Sequence, residues 1–333
     1  MFAIAGLLMV AGVLRLVYPV IRQRQILTEL RDKGFKVDAQ PVFGTDWPEW
    51  ITSRTQDSIV VLNSISNGNA RCTDDDLKSI AEAITLTYDH FDSPARCGLE
   101  LGPRSSVTDQ GLAHLAGMSR IRGLGIESPL ITDVGMAHLR GLTQLTALSL
   151  KCPHVTDTGM RHLSGLTKLE GLELRGRHIT DAGLVHLKGL VNLGTLVLED
   201  AEITGGGFSK LGSLTELSYL VMNSKHLTNE GTEGLTHFPD LKYLVLSDTT
   251  VADGGLVHLG KLQKVVILDL SGTRIRGPGL KDLQPMPQLL LLQLADTQVT
   301  DASLMHLIAF PKLRRVDLSG TQVTDSGMAA IRK

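Results

Sequence analysis

The chain has 333 residues, of which 42% are hydrophobic and 4% aromatic, and 33 basic against 35 acidic residues give a net charge of −2 at pH 7. Nucleic-acid binding through charge needs a basic excess or a basic stripe, and stacking on bases needs aromatic side chains. Because the chain offers neither, this class of function is excluded.

Residues 1–21 form the first predicted element. Residues 2–14 carry no charge, Arg15 interrupts them, and the apolar stretch continues to Ile21. About 20 helical residues cross the ~30 Å core of a bilayer, so we expect an uncleaved single-pass transmembrane anchor. One alternative is a signal peptide, although the segment lacks a basic start and a small-residue cleavage site. A buried N-terminal helix is the other.

Five basic residues come directly after the predicted anchor: Arg22, Arg24, Arg31, Lys33 and Lys36. Basic residues next to a span tend to stay in the cytoplasm, which would place the rest of the chain there. N-terminal anchors, however, commonly export the domain attached to them. The sequence therefore predicts a membrane protein and leaves the side of the membrane open.

Residues 22–58 are predicted to be a juxtamembrane helix, RQRQILTELRDKG, followed by a linker. Residues 59–107 are predicted to be an atypical N-terminal capping repeat, made of the strand IVVLNSI and the helical segment CTDDDLKSIAEAITL. The chain has three cysteines, Cys72, Cys97 and Cys152, without a C-x-x-C pair. Cys72 and Cys97 could form a disulfide if the segment is exported; the alternative is three reduced thiols.

Residues 108–333 have a 24-residue period. Glycine recurs at this step with one serine in the series, at Gly111, Gly135, Gly159, Gly183, Gly207, Gly231, Gly255, Gly279, Ser303 and Gly327. Apolar columns keep the same period, for example Leu124 to Leu292. Internal repetition at this period predicts one solenoid of about ten repeats, with no interruption long enough for a second domain.

Each repeat follows the pattern L-x-x-L-x-L-x-x-T-x-[IV]-T-D-x-G-L-x-H-L-x-G-L-x-x. The first half alternates with period 2, which predicts a short parallel strand. The second half predicts a helix of about two turns: Thr180 suits the N-cap, Ile179 and Leu184 suit the hydrophobic staple, and Gly189 suits the end. A unit this small must stack on its neighbours to bury its apolar face.

This pattern resembles the leucine-rich repeat, in a subtype centred on LSGTxVTDxGL. The resemblance implies an α/β solenoid that is curved, with a parallel sheet on the concave face and short helices on the convex face. The order of anchor, basic helix, tryptophan-bearing segment and repeats is similar to a group of bacterial membrane-anchored leucine-rich-repeat proteins. Threonine replaces the usual Asn or Cys after the strand, and its hydroxyl is expected to bind backbone groups of the turn, at Thr249, Thr273, Thr297 and Thr321.

Three further columns raise questions of packing and chemistry. The glycines stand three residues into each helix, where glycine costs about 1 kcal/mol against alanine, so we expect a close contact there that offsets the cost. The aspartates before them are expected to complement the helix dipole. Histidines on successive helices start about 10 Å apart, too far to share a metal, at His114, His138, His162, His186, His258 and His306.

Catalytic motifs are missing from the sequence. It contains no GxxxxGK[ST], HExxH or GxSxG and no metal-spaced Cys/His cluster, so we expect a non-catalytic protein without a metal or cofactor. The alternative is a hydrolase that uses Cys72 or Cys97 with a nearby histidine.

The outward-facing positions of the strands are apolar in the middle of the repeat array. We predict a ligand-binding patch of roughly 300 Å², formed by strands about 4.8 Å apart. Its members are Thr195, Val197, Tyr219, Val221, Tyr243, Val245, Ile267 and Leu291. Val, Ile and Tyr also simply suit strands, so a structural role is the alternative.

These expectations combine into a membrane-tethered module that binds a protein or peptide on its sheet and binds no nucleic acid. Two other functions are considered. Similar repeats occur in F-box adaptors of protein degradation, although residues 22–58 do not resemble an F-box. A structural envelope spacer would show no saturable binding at all.

Overall fold

The computed structural model describes residues 21–41, 60–68, 70–91, 97–283 and 286–331. The chain divides into two compact units, Met1–Leu148 and Ser149–Lys333. The predicted anchor, apart from residue 21, and residues 42–59 of the predicted linker and cap lie outside the described residues. Among the described helices, none combines the length and the apolar character that crossing a membrane requires.

The first unit contains four strands in the order β1-β2-β3-β4. Strand β1 is antiparallel to β2, and β2, β3 and β4 are mutually parallel. The strands are β1 (Lys36–Pro41), β2 (Val60–Ser66), β3 (Cys97–Leu101) and β4 (Ile121–Glu127). The helical segments are residues 21–32, named α1, then Asp74–Phe91, named α2, then Asp109–Leu112 continued by the 3-10 turn Ala113–Leu115, and Asp133–Leu139.

Helix α1 packs into the first unit through one apolar face. Ile26, Leu27 and Leu30 on that face are buried, as is Phe35 just beyond the helix, whereas Ile21 at the start of the helix is exposed. Two ion pairs join this region to α2, one from Arg22 to Glu82 at 2.8 Å and one from Lys33 to Asp76. Helix α1 and α2 therefore belong to one folded unit.

The second unit contains strands β6 to β12 in chain order, and β5 (Ala147–Lys151) crosses the boundary between the units. Its strands are β6 (Gly171–Arg175), β7 (Thr195–Glu199), β8 (Tyr219–Met222), β9 (Tyr243–Val245), β10 (Ile267–Asp269), β11 (Leu291–Gln293) and β12 (Arg315–Asp317). Each is followed by a helical segment, as is β5: Asp157–Leu163, Asp181–Leu187, Gly206–Lys210, Glu230–His237, Asp253–Leu259, Pro278–Leu283, Asp301–Ala309 and Asp325–Ile331.

Parallel pairing places each strand residue beside its equivalent in the next repeat. Leu196 lies opposite Leu220, Leu220 opposite Leu244, and Leu244 opposite Leu268. These leucines are fully buried, whereas the next residue along each strand, such as Val197 after Leu196, faces outward. The predicted parallel strands, short helices and leucine core are confirmed within each unit; among the described residues after position 107, nine strands run from β4 to β12.

Threonines at the strand exits close the following turn. The hydroxyls of Thr249, Thr273 and Thr297 donate to the carbonyl three residues earlier, at 2.8, 2.5 and 2.6 Å. All three are buried, so the bond satisfies polar groups that water does not reach. The predicted bonding of these threonines to the turn backbone is confirmed.

A second threonine joins one repeat to the next. The Thr180 hydroxyl accepts from the Ala182 N–H, which makes Thr180 the N-cap that the sequence predicts. The same hydroxyl donates to the Asp157 carboxylate at 2.6 Å, and the Thr180 N–H donates to the other carboxylate oxygen at 2.8 Å. Asp157 belongs to the preceding repeat, so this group of bonds, which we name a rung, ties two repeats together.

Rungs recur in both units. The first unit has Asp74 with Thr108 and Asp109 with Thr132; the second also has Asp181 with Thr204 and Asp301 with Thr324. Asn229 and Asp253 take the aspartate position with other partners, receiving the N–H groups of Ala252 and Arg276. The aspartates lie in the first turn of a helix as expected, and in addition they bind the next repeat.

The glycine column makes room for these rungs. A Cβ on Gly183 would lie 2.3 Å from Asp157 Oδ1, and a Cβ on Gly135 would lie 2.3 Å from Asp109 Oδ1. At Gly207 and Gly279 the backbone carbonyl of the preceding aspartate is also within 2.7 Å. The close contact expected from the sequence is confirmed, and its main partner at Gly135 and Gly183 is a carboxylate of the preceding repeat.

The exception in the column follows the same rule. Ser303 stands where glycine is expected, and the aspartate that would contact it is replaced by Gly277. A Cβ on Gly277 would lie 1.8 Å from Ser303 Oγ, so the serine side chain fills the space of the missing carboxylate. Aspartate and a side chain at the glycine position exclude each other.

We expect Gly183→Ala to lower the free energy of unfolding by about 1–3 kcal/mol, because the new methyl overpacks against Asp157 and Met160. Gly165→Ala is the matched control, since a Cβ there meets nothing within 4 Å. Chemical denaturation of both variants measures the difference. Equal stabilities would show that the glycine column is not a contact site.

The carboxylate of Asp301 should report rung formation during acid titration. The Thr324 hydroxyl, followed by the N–H groups of Thr324 and Gly327, holds the pKa of Asp301 below its usual range. Because the pKa of Asp301 is lower in the folded state than in the unfolded state, its contribution to stability is fully present above the pKa of the unfolded state. That contribution is lost as the pH falls through the pKa of the folded state. We expect Thr324→Val to raise the pKa of Asp301 toward its ordinary value, as measured by NMR titration of the carboxyl carbon. Thr167→Val, at an exposed threonine outside the rungs, should leave it unchanged; a pKa that does not respond to Thr324→Val would contradict the rung.

Candidate functional site

The predicted patch forms two adjoining rows on the outer face of the second unit's sheet. Pairing of β7 to β11 aligns the first row, Thr195, Tyr219, Tyr243, Ile267 and Leu291. The second row is Val197, Val221 and Val245, each two residues further along its strand than a member of the first row. The structure thus brings all eight predicted residues into one surface, which we name the outer patch.

The two tyrosines are the most exposed members of the outer patch. Tyr219 is 37% exposed and Tyr243 is 40% exposed, while the other six are half-buried. Their ring centroids lie 5.7 Å apart at an interplanar angle of 37°. Within the described chain neither hydroxyl has a hydrogen-bond partner, so both are available to a ligand. A pair of rings with free hydroxyls offers apolar area and polar contacts together.

Charged residues border the outer patch at both ends. Glu173 lies beside Val197, and it accepts from Lys151 at 3.0 Å and from Ser149 at 2.8 Å. At the other end Arg315 lies beside Leu291, and Asp269 lies beside Val245. Because charged side chains prefer water, these residues set the limits of the apolar area.

An acidic border along the strand exits was not anticipated from the sequence. Asp200, Asp248 and Asp296 are exposed and have positive φ angles of 55°, 57° and 55°. Asp is one of the few residues that tolerate this left-handed conformation. Gly272 and Gly320 alternate with Asp248 and Asp296, and a Cβ on Gly272 would lie 2.3 Å from Asp248 Oδ1. The recurrence of Asp in every second repeat of this column was the available signal.

Among the described residues, no group of three or more His, Cys, Asp or Glu side chains is placed to hold a metal ion. His114 is exposed, and the other five members of the histidine column are half-buried. The aspartates of the rungs are already occupied by threonine and backbone donors. The rung aspartates are therefore already bound within the protein.

The cysteines lack the properties of catalytic thiols. Cys72, Cys97 and Cys152 are buried thiols, and no disulfide joins Cys72 to Cys97. Burial raises the pKa of Cys72 to about 12, with the Asp76 and Asp74 charges adding to the effect, and burial alone raises that of Cys97 to about 12. Reactive cysteines have lowered pKa values and partial exposure, so neither thiol fits the hydrolase alternative.

Comparison with known proteins agrees with the repeat. A family model described as Leucine Rich repeat matches residues 311–331. The repeats are leucine-rich repeats, by this match together with the 24-residue pattern and the parallel strands above. No curated protein sequence matches the chain.

Two solved structures similar to the chain are internalins from Listeria monocytogenes str. 4b F2365. Internalin inlF is 18% identical with a TM-score of 0.46, and the alignment covers 88% of this chain and 96% of that one. Internalin C2 is 25% identical with a TM-score of 0.43, covering 74% of this chain and 84% of that one.

Proposed function

We propose that the protein is a membrane-tethered binding module whose outer patch holds a protein or peptide partner. The observation that carries the proposal is the surface of eight adjoining residues centred on Tyr219 and Tyr243. Stacked repeats offer extended surfaces that bind through area and not through a deep pocket. Tyrosine is also among the residues that most often anchor protein interfaces.

The proposed partner presents apolar side chains next to Lys or Arg. The apolar part of the partner would cover the valines and tyrosines, and the basic part would face Asp248 and Asp296. Asp200 is already paired with Arg175 at 2.7 Å. Opposite charges at the rim of an interface favour encounter and fix the orientation of the partner. A stable interface covers about 800 Å² per side, so the partner must extend beyond the roughly 300 Å² of the outer patch onto this rim.

The outer patch is suited to binding because its side chains face away from the leucine core. The core leucines of the same strands are fully buried, whereas Tyr219 and Tyr243 are 37% and 40% exposed. A non-catalytic role is consistent with the buried thiols, whose pKa values of about 12 leave them protonated at neutral pH.

We expect replacement of both Tyr219 and Tyr243 by Ala to weaken partner binding by about 2 kcal/mol or more, because both interface anchors are lost. The free energy of unfolding should fall by about 1 kcal/mol for the lost aromatic contact, in addition to the loss of the apolar area that the two partly exposed rings bury. A photo-reactive amino acid at Val221, introduced into the full chain in its own cells, should give a crosslinked product of defined mass. The product should disappear in the double Ala variant.

Two controls separate binding from folding in this experiment. Replacement of both tyrosines by Phe keeps the rings and should retain most of the crosslink. The same photo-reactive group at Val257, which is 48% exposed and lies on a helical segment, should not give the product. Persistence of the crosslink in the double Ala variant would refute the outer patch as the binding site.

The membrane tether in the proposal rests on residues 1–21, whose apolar length matches a bilayer. We expect the full chain to stay in the membrane fraction through alkaline carbonate extraction, and Leu8→Arg together with Val10→Arg to release it, because charge in the bilayer core is costly. Arg22→Gln with Arg24→Gln, which leaves residues 1–21 intact, is the control. Wild-type protein in the soluble fraction would contradict the tether.

A further inference from the structure

Among the residues that the structure describes, strand β12 is paired along one edge and open along the other. It pairs with β11 through Leu291 to Arg315, Leu292 to Val316 and Gln293 to Asp317. In the described part of the chain, no strand pairs with its other edge. An open edge offers a row of backbone donors and acceptors to another strand.

The repeat that contains β12 exposes the positions that other repeats bury. The core residues one repeat earlier are at most 1% exposed: Leu289, Leu292, Leu294, Val299 and Leu304. Their equivalents in the repeat of β12 are all half-buried: Leu313, Val316, Leu318, Val323 and Met328. The open edge of the sheet is therefore continuous with an apolar end face.

The backbone of Val316 points toward the open edge. Arg315 donates its N–H to Leu290 at 3.1 Å, and the Asp317 carbonyl accepts from Leu294 at 2.9 Å, so both neighbours of Val316 bind toward β11. Successive residues of a strand direct their N–H and C=O groups to opposite edges. The N–H and C=O of Val316 consequently face away from β11.

The side chains at this edge are self-complementary. Arg315 and Asp317 are two residues apart and share the outer face, while Val316 lies between them on the core side. In an antiparallel pair centred on Val316, Arg315 of one strand lies opposite Asp317 of the other, and the arrangement occurs twice. Arg315 makes no ion pair within the described chain, and one oxygen of Asp317 is bound by Ser319 at 2.9 and 2.6 Å.

We propose that the open edge of β12 binds the same edge of a second copy of this chain. The two strands pair antiparallel about a two-fold axis through Val316, whose N–H and C=O groups form a reciprocal pair of hydrogen bonds with Val316 of the second copy. Two Arg315 to Asp317 contacts flank this pair on the outer face. The axis is perpendicular to the sheet, so the apolar end faces meet each other and the same residues serve both copies.

This dimer does not depend on the proposed binding of a partner to the outer patch, which lies on β7 to β11. It would nevertheless place two outer patches on one continuous sheet. A partner with two matching segments would then bind both, and the second contact would form at a high effective concentration.

The test is the dissociation constant of the full chain in a non-ionic detergent, measured by sedimentation velocity over a concentration series. Arg315→Asp puts two carboxylates opposite each other, and Asp317→Arg puts two guanidinium groups opposite each other. Each single variant should raise the dissociation constant at least about tenfold, since like charges replace opposite charges at two sites. The double variant R315D/D317R restores opposite charges and should return to within about threefold of wild type.

Lys281→Asp is the matched control, because it places a carboxylate at another exposed basic residue, away from β12, and should leave the dissociation constant unchanged. Thermal melting of every variant shows whether it folds, and R315D tests the proposal even if D317R is unstable through loss of the Ser319 bonds. A wild-type chain that remains monomeric up to about 100 µM overturns the proposal. So does a dimer that neither single variant weakens, or a double variant as weak as the folded single ones.

Discussion

The structure depends on the hydrogen bonds that a carboxylate in one repeat accepts from a threonine in the next. Asp157 receives both the N–H and the hydroxyl of Thr180, and the same hydroxyl caps the helix that begins at Asp181. One threonine thus starts a helix and joins two repeats. Because the carboxylate lies in the position of a Cβ, it also requires glycine at position 183. The cap at Thr180 and the glycine at position 183 therefore both depend on the same bonded group.

The separation of core side chains from outward-facing side chains bears on function. The bonds between repeats lie where the helices begin, and the leucines fill the core. The side chains on the outer side of the strands face away from that core. The tyrosine pair, the valine row and the acidic border at Asp248 lie on that side. A surface that faces away from the core can carry residues that suit a partner, as in other repeat proteins.

Much of the fold could be predicted from the sequence, because a 24-residue period places equivalent residues side by side in parallel strands. The strands, the Thr180 cap and the composition of the outer patch follow from that period. The partner of the aspartate column could not be read from one repeat, since the bond reaches into the next. One pair of residues in the sequence indicated this contact. Ser303 replaces the usual glycine in the repeat that directly follows the one in which Gly277 replaces the usual aspartate. The register that aligns Arg315 and Asp317 for self-pairing likewise needed the backbone bonds of β12.

A double-mutant cycle on Asp157 and Thr180 shows whether the two side chains bind each other across repeats. The free energy of unfolding is measured for wild type, Asp157→Ala, Thr180→Val and the double variant, and the interaction energy is the departure from additivity. If the carboxylate and the hydroxyl bind each other across repeats, the interaction energy should be about 1.5 kcal/mol or more, the usual size for a hydrogen bond to a charged group. An interaction energy below about 0.3 kcal/mol, within the limits of simple additivity, would show that the two side chains act independently.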